Sequence, residues 1–162
     1  MIDGYLAFAK GEGQETSVRV QLDEIVAQMI SQSEKLQSGR LVWLPPETDV
    51  PQMEVRVQAM RRALDNLIGN ALRYADFAEI RLKVRDDSLY IFIDDNGPGI
   101  PPEQQADALR PFVRLEGSRN KQTGGTGLGL AIAHDIILSH GGTLTLEASP
   151  LGGLRVTVLL PI

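Results

Sequence analysis

The sequence predicts a two-layer α/β sandwich, in which a mixed, largely antiparallel sheet is covered on one face by three helices. Three observations predict it. Segments 78–94 and 143–160 each hold two alternating apolar runs joined by a short turn, which makes them hairpins. Three longer segments carry apolar residues at helical spacing. The 162 residues are the usual size of one domain, and no repeat or low-complexity segment divides them.

Met1–Gly11 places Ile2, Tyr5, Leu6 and Ala9 at helical spacing and stops at Gly11-Glu12-Gly13. So short a segment is marginal as an isolated helix. Residues 1–14 therefore read as the end of a longer helix or a linker, and 15–162 as the folded domain. Ser17–Leu22 is a short strand, and Asp23–Ser38 is a helix carrying Ile25, Val26, Met29 and Ile30, ended by Gly39. Arg40–Leu44 is the next strand. Pro45-Pro46 and Pro51 mark a connection, with a short strand around Met53–Val55. Val57–Tyr74 is a long amphipathic helix. Ala78–Val84 and Ser88–Asp94 pair across Asp86-Asp87. Asn96–Gly125 shows no clear period, and a connection much beyond about 15 residues is usually functional or mobile. Thr126–Ser139 is a helix stopped by Gly141-Gly142, and Thr143–Ala148 and Leu154–Leu160 close the chain as strands.

Composition removes several function classes. There is no cysteine, hence no disulfide, thiol catalysis or cysteine-bound metal, and two histidines are too few for a zinc site built on imidazoles. Sixteen basic against 21 acidic residues, a net charge of −5, argue against a nucleic-acid binder. No apolar run approaches the roughly 18 residues of a membrane span, and the amino terminus is no signal peptide. The chain reads as soluble and intracellular, with no membrane insertion of its own.

Four segments could carry chemistry. In Arg61–Tyr74 (RRALDNLIGNALRY), Asn66, Asn70, Arg73 and Tyr74 fall at i, i+4, i+7 and i+8 along the edge of the apolar arc. An asparagine oxygen suits Mg²⁺, an arginine suits phosphate, and a phenol ring suits a base. The alternative is a solvated helix edge. In LYIFIDD followed by NGPGIP, Asp95 ends the apolar face of Leu89, Ile91 and Ile93, where burial is costly unless something donates to it. An amino group on a bound base would be such a donor. Gly97 and Gly99 clear space for a flat ligand, or simply make an ordinary turn. Gly124–Leu130 (GGTGLGL) opens into a helix and can cradle phosphate, but matches neither GxGxxG nor GxxxxGK[ST]. Between these lie Leu109–Arg114 (LRPFVR), Arg119 and Lys121, a candidate basic lid over phosphates; Arg119 and Lys121 read better as a solvated loop.

In order, DNLIGNALRY, DDNGPGI, LRPFVR and GGTGLGL resemble the N box, first glycine box, F box and second glycine box of bacterial sensor histidine kinases. These share the Bergerat (GHKL) ATP-binding fold with gyrase, Hsp90 and MutL. The resemblance covers about Arg61 to Ile162, and Asn at both N-box positions with PFVR looks EnvZ-like. It implies a catalytic domain that binds Mg·ATP and donates the γ-phosphoryl to a histidine on a separate dimerisation domain. Asn70 matches the magnesium-binding asparagine, and Asn66 the position four before it at the catalytic end. Arg73 matches a phosphate contact, Tyr74 an aromatic beside adenine, and Asp95 the acceptor of the adenine amino group. Gly97, Gly99, Ile100 and Phe112 belong to the base pocket and lid; Gly125, Thr126, Gly127, Leu128, Gly129 and Leu130 to the phosphate wrap; Arg114 to the γ-phosphate. Leu109 replaces the first F-box aromatic, leaving only Phe112 to pack the lid.

The same resemblance implies a dimer and a response regulator as partners. It also implies an inner-membrane sensor with this domain in the cytoplasm, and residues 1–14 as the end of the dimerisation helix. A rival reading is an ATPase of the same fold, and a second is a nucleotide-gated interaction domain. An ATPase would need an acid where Asn66 stands, and Asp65 points about 100° away around the helix. The expected acceptor is neither His134 nor His140; His140, preceding Gly141, is expected to cap its helix and favour its negative end.

Overall fold

The computed structural model describes residues 15–33, 38–110 and 129–162. In chain order its elements are β1 (Val18–Val20), α1 (Leu22–Ser31), β2 (Leu41–Leu44), β3 (Met53–Val55), α2 (Val57–Tyr74), β4 (Ala78–Arg85) and β5 (Ser88–Asp95). A 3₁₀ turn (Pro102–Gln104) follows, then the one-turn helix α3 (Gln105–Ala108), α4 (Gly129–Ser139), β6 (Thr143–Ala148) and β7 (Leu154–Pro161). Five strands form the main sheet in the order β2-β4-β5-β7-β6, and β1 and β3 pair separately. All neighbours are antiparallel except β2 and β4.

The period of the sequence explains the layers. Leu89, Ile91 and Ile93 alternate with Tyr90 and Phe92, and the first set is buried. Their β7 partners Leu160, Val158 and Val156 are buried beside them. Against this face lie Ala63, Leu64 and Leu67 of α2 and Ala133, Ile136 and Ile137 of α4, which with Leu22, Val26 and Ile30 of α1 form one core. The alanines on α2 and α4 let those helices approach closely, and they make the main helix–helix contact.

Four expectations are corrected. The first helix ends at Ser31 rather than Ser38: Ser31 Oγ turns back to the Gln28 carbonyl, the Gln32 and Ser33 amides close the last turn, and no apolar residue follows until Leu36. Ahead of β2 that connection carries Gly39, whose φ of +79° favours glycine. The Asn96–Gly125 segment contains a short helical stretch, 102–108, which had no readable period because Ala108 is its single buried residue. The strands make two sheets. His140 is the fourth: its Nε2 accepts from the Arg56 amide at 3.1 Å, so Nδ1 carries the proton and donates to the Ile136 carbonyl at 2.8 Å. It caps the helix as a neutral ring, not as a charge at the dipole, and ties the end of α4 to the start of α2. Residues 1–14 lie outside the described residues.

Candidate functional site

Both ends of α2 are closed by side chains from distant segments. At its start, Arg56 supplies no side-chain cap; instead the Glu15 carboxylate accepts from the Gln58 and Ala59 amides at 2.7 and 2.9 Å. At its end, the Arg40 guanidinium donates to the carbonyls of Leu72, Ala75 and Asp76 at 2.7, 2.9 and 3.1 Å. Between these clamps the helix presents Asn66, Asn70 and Tyr74 half-buried and Arg73 exposed, as the stripe predicts. The two carboxamides make no hydrogen bond among the described residues, so their oxygens and amides are open to a ligand or solvent. Asp65 is on the exposed side. Burial of its surroundings raises its pKa above the ordinary 3.8, against the opposing pull of Arg61.

The C-terminal end of α2 meets the loop after β5. A Cβ on Gly97 would lie 2.8 Å from the Tyr74 carbonyl oxygen and 3.1 Å from the Ala75 Cβ, so only glycine permits this approach. Phe77 and Asn96 fasten the same corner, with the Asn96 side chain accepting from the Phe77 amide at 3.0 Å and the Asn96 amide donating to the Phe77 carbonyl. Asp95 sits in this corner, 5% exposed. Its Oδ1 accepts from the backbone amides of Gly97 and Leu154 at 2.9 and 3.0 Å. Buried charge is tolerable here because backbone dipoles support it. Further along the same loop Ile100 is buried in the core, and Gly99 has a φ of +72°.

On the opposite face of β5, Asp94 is 4% exposed and held by a bidentate pair with Arg155, at 2.7 and 2.9 Å. Ser149 Oγ donates to the same carboxylate at 3.1 Å, and the Arg155 guanidinium lies 4.7 Å from the Phe92 ring centre. The hydrogen bond to Asp94 holds the Arg155 pKa above its already high ordinary value. Sequence reasoning missed this pair. The available signal was Arg155 inside the apolar strand LRVTVLL, an odd place for a cation without a partner.

The structure thus brings Tyr74, Asp95, Gly97, Gly99 and Ile100 together at one corner. Asn66, Asn70 and Arg73 sit on the helix leading to it, and Gly129 and Leu130 at the start of α4, packed against that helix. Phe112, Arg114, Gly125, Thr126, Gly127 and Leu128, and with them the candidate lid beyond Arg110, including Arg119 and Lys121, lie outside the described residues. A separate groove of about 370 Å³, lined by Leu44, Pro45, Glu47, Thr48 and residues 81–84, shares no residue with this corner. Among the described residues no group of three acidic or histidine side chains could hold a metal, and no helix is long and apolar enough to cross a membrane.

Comparisons with known proteins bear on the family of the chain. Residues 56–162 match the family described as histidine kinase-, DNA gyrase B-, and HSP90-like ATPase. The chain belongs to that family. Over 105 residues it is 45% identical to the sensor histidine kinase CpxA of Escherichia coli (strain K12), covering 64% of this chain and 23% of CpxA. Among solved structures of the family, the ATP binding domain of PrrB from Mycobacterium tuberculosis superposes with a TM-score of 0.70 at 26% identity, covering 91% of this chain and 98% of that one. The histidine kinase domain of the E. coli osmosensor EnvZ gives 0.67 at 27% identity, covering 92% and 91%. The expected histidine-kinase type of the Bergerat fold, a mixed, mainly antiparallel sheet under helices, is thereby borne out.

Proposed function

We propose that this chain is the ATP-binding catalytic domain of a two-component sensor histidine kinase, holding Mg·ATP and presenting its γ-phosphoryl to a histidine on a dimerisation and phosphotransfer domain. The observation that carries the reading is Asp95. A carboxylate this buried, fixed by two amide donors at the closed end of a glycine corner, selects a ligand donor such as the adenine amino group. Tyr74 supplies a half-buried ring and Gly97 the clearance beside it. Asn70 would hold Mg²⁺ through its carboxamide oxygen, and the half-buried, uncommitted state of that side chain fits a hard cation completed by phosphates and water. Bound there, the ion would neutralise charge on the phosphates. Arg73 would do the same from the exposed end of the stripe. Gly125, Thr126, Gly127, Leu128, Gly129 and Leu130 would wrap the phosphates, with Phe112 and Arg114 in the lid.

Catalysis in this scheme is positioning and charge neutralisation. Water activation is disfavoured: Asn66 is no base, and Asp65 faces solvent on another side of α2. CpxA, PrrB and EnvZ carry names that fit this role, and a response regulator would be the downstream partner. Calorimetry with ADP and ATP, each with and without Mg²⁺, tests binding. Transfer from labelled ATP to an added dimerisation domain, with little free phosphate released, tests the reaction. Release of phosphate without transfer would instead favour the ATPase.

A further inference from the structure

The carboxylate of Asp95 has its orientation imposed by the turn between β6 and β7. Gly153 donates its amide to the Asp95 carbonyl at 3.1 Å, and Leu154 donates to Asp95 Oδ1 at 3.0 Å. A Cβ on Gly153 would lie 2.1 Å from that Oδ1 and 2.6 Å from the Gly97 amide nitrogen, so the turn lies directly on the corner. The turn is itself built tightly: the Ser149 amide donates to the Gly153 carbonyl at 2.8 Å, and Ser149 Oγ accepts from the Leu151 amide at 3.0 Å. What fixes it to β5 is the Asp94–Arg155 fork, placed at the last paired position of the β5–β7 ladder, together with Ser149 Oγ on Asp94. Where the ladder stops, the next β7 amide, that of Leu154, bonds a side chain instead of a strand.

We infer that Asp94 and Arg155 are positioning residues for base selection: by locking the end of β7 they hold Leu154 N–H on Asp95 and so fix the carboxylate as an acceptor for an amino group. Neither touches the corner; Asp94 and Asp95 point to opposite faces of the sheet. The inference rests on the reading of Asp95 as the base contact. A fixed acceptor rewards adenine, whose 6-position donates, and penalises hypoxanthine, whose 6-position is a carbonyl. A carboxylate free to rotate loses that contrast.

The test is calorimetry of the whole chain with ADP and IDP, for the wild type, Arg155→Met, Arg155→Lys, Ser149→Ala and Asp95→Asn, with the melting temperature of each. Arg155→Met should weaken ADP about tenfold and IDP much less, so the ADP-to-IDP ratio falls by several-fold. Arg155→Lys, which keeps the charge but not the fork, should recover part of that ratio. Ser149→Ala is the milder variant that reports if Arg155→Met does not fold, and should lower the ratio about twofold. A lowered melting temperature with an unchanged ratio in the folded variants makes the fork purely structural and overturns the inference. If the wild type does not prefer ADP, or Asp95→Asn keeps the wild-type ratio, the reading of Asp95 itself is wrong and the inference falls with it.

Discussion

Asp94 and Asp95 are adjacent, both buried, and held by different chemistry on the two faces of one sheet. On the open face Asp94 has a full cationic partner, the Arg155 fork, with a serine hydroxyl and an aromatic ring completing its surroundings. On the helix face Asp95 Oδ1 is held by two backbone amides. The first arrangement sets a cation against the charge; the second orients the carboxylate with backbone dipoles beside the glycine turn. The fork ties two strands together, whereas the amides belong to the two turns that shape the corner, so the position of the second carboxylate is set by the candidate site itself.

Removing each carboxylate should therefore weigh differently on stability and on nucleotide affinity, since Asp94 reaches the nucleotide only through the end of β7 that it locks. Asp94→Ala leaves Arg155 without its partner in a site where the side chain is only 26% exposed. Breaking such a pair costs about 3 kcal/mol, the low end for buried pairs because the arginine reaches solvent. The expected outcome is a large fall in stability by urea denaturation. Asp95→Asn keeps the size and an acceptor oxygen but adds donors facing the base. Its effect belongs in nucleotide affinity, about ten- to a hundredfold, with a smaller change in stability. Equal stability losses with intact ADP binding would erase the distinction between the two faces.

Glu15 extends the comparison to the surface. Like Asp95 it is a carboxylate held by two backbone amides, but those amides are the open donors at the start of α2. The site has water access, so the contribution is that of a helix cap. Glu15→Ala should cost about 1 kcal/mol, and Glu15→Gln part of it, since the amide oxygen still accepts but the charge at the dipole is lost. Denaturation of the two variants at low and high salt checks this. A loss larger than that of Asp94→Ala would show that the cap, not the fork, is the stronger anchor.

Local period made α2 readable from Val57 to Tyr74, and it placed Asp95 on the buried face of β5. Both follow from repeats of 3.6 and 2 residues, which the chain carries in its own order. The clamps are of another kind. Arg40 reaches carbonyls 32 to 36 positions on, Glu15 an amide 44 away, and Arg155 a carboxylate 61 away. No local pattern encodes such meetings, because they depend on which strands become neighbours. Gly97 was legible as a turn, but its second role, clearing the Tyr74 carbonyl, required the helix end to be in place. The end of α1 was misread because the polar Ser31–Ser33 stretch contains no glycine or proline to mark a stop before Gly39.

Asp65 is the weakest case and the sharpest control, a carboxylate perturbed by its surroundings without amides or a fork. Its pKa lies above the ordinary 3.8 because burial of its surroundings outweighs the attraction of Arg61 one turn earlier. A raised carboxylate pKa means the folded chain binds the proton more tightly than the unfolded chain does. Below 3.8 both states are protonated and the group contributes nothing; as pH rises through the interval up to the folded pKa, folding loses stability, and the loss is complete above it. Asp65→Asn removes the ionisation, so it should raise the melting temperature slightly at neutral pH. The gain should shrink as the pH is lowered through the carboxylate range and vanish below the unfolded value. Nucleotide affinity should stay unchanged, because Asp65 faces away from the Asn66–Asn70 stripe. Paired melting curves at neutral and acidic pH decide it. A variant that melts lower at neutral pH would mean the Arg61 attraction outweighs burial, and would place Asp65 with Asp94 among the carboxylates that hold the fold.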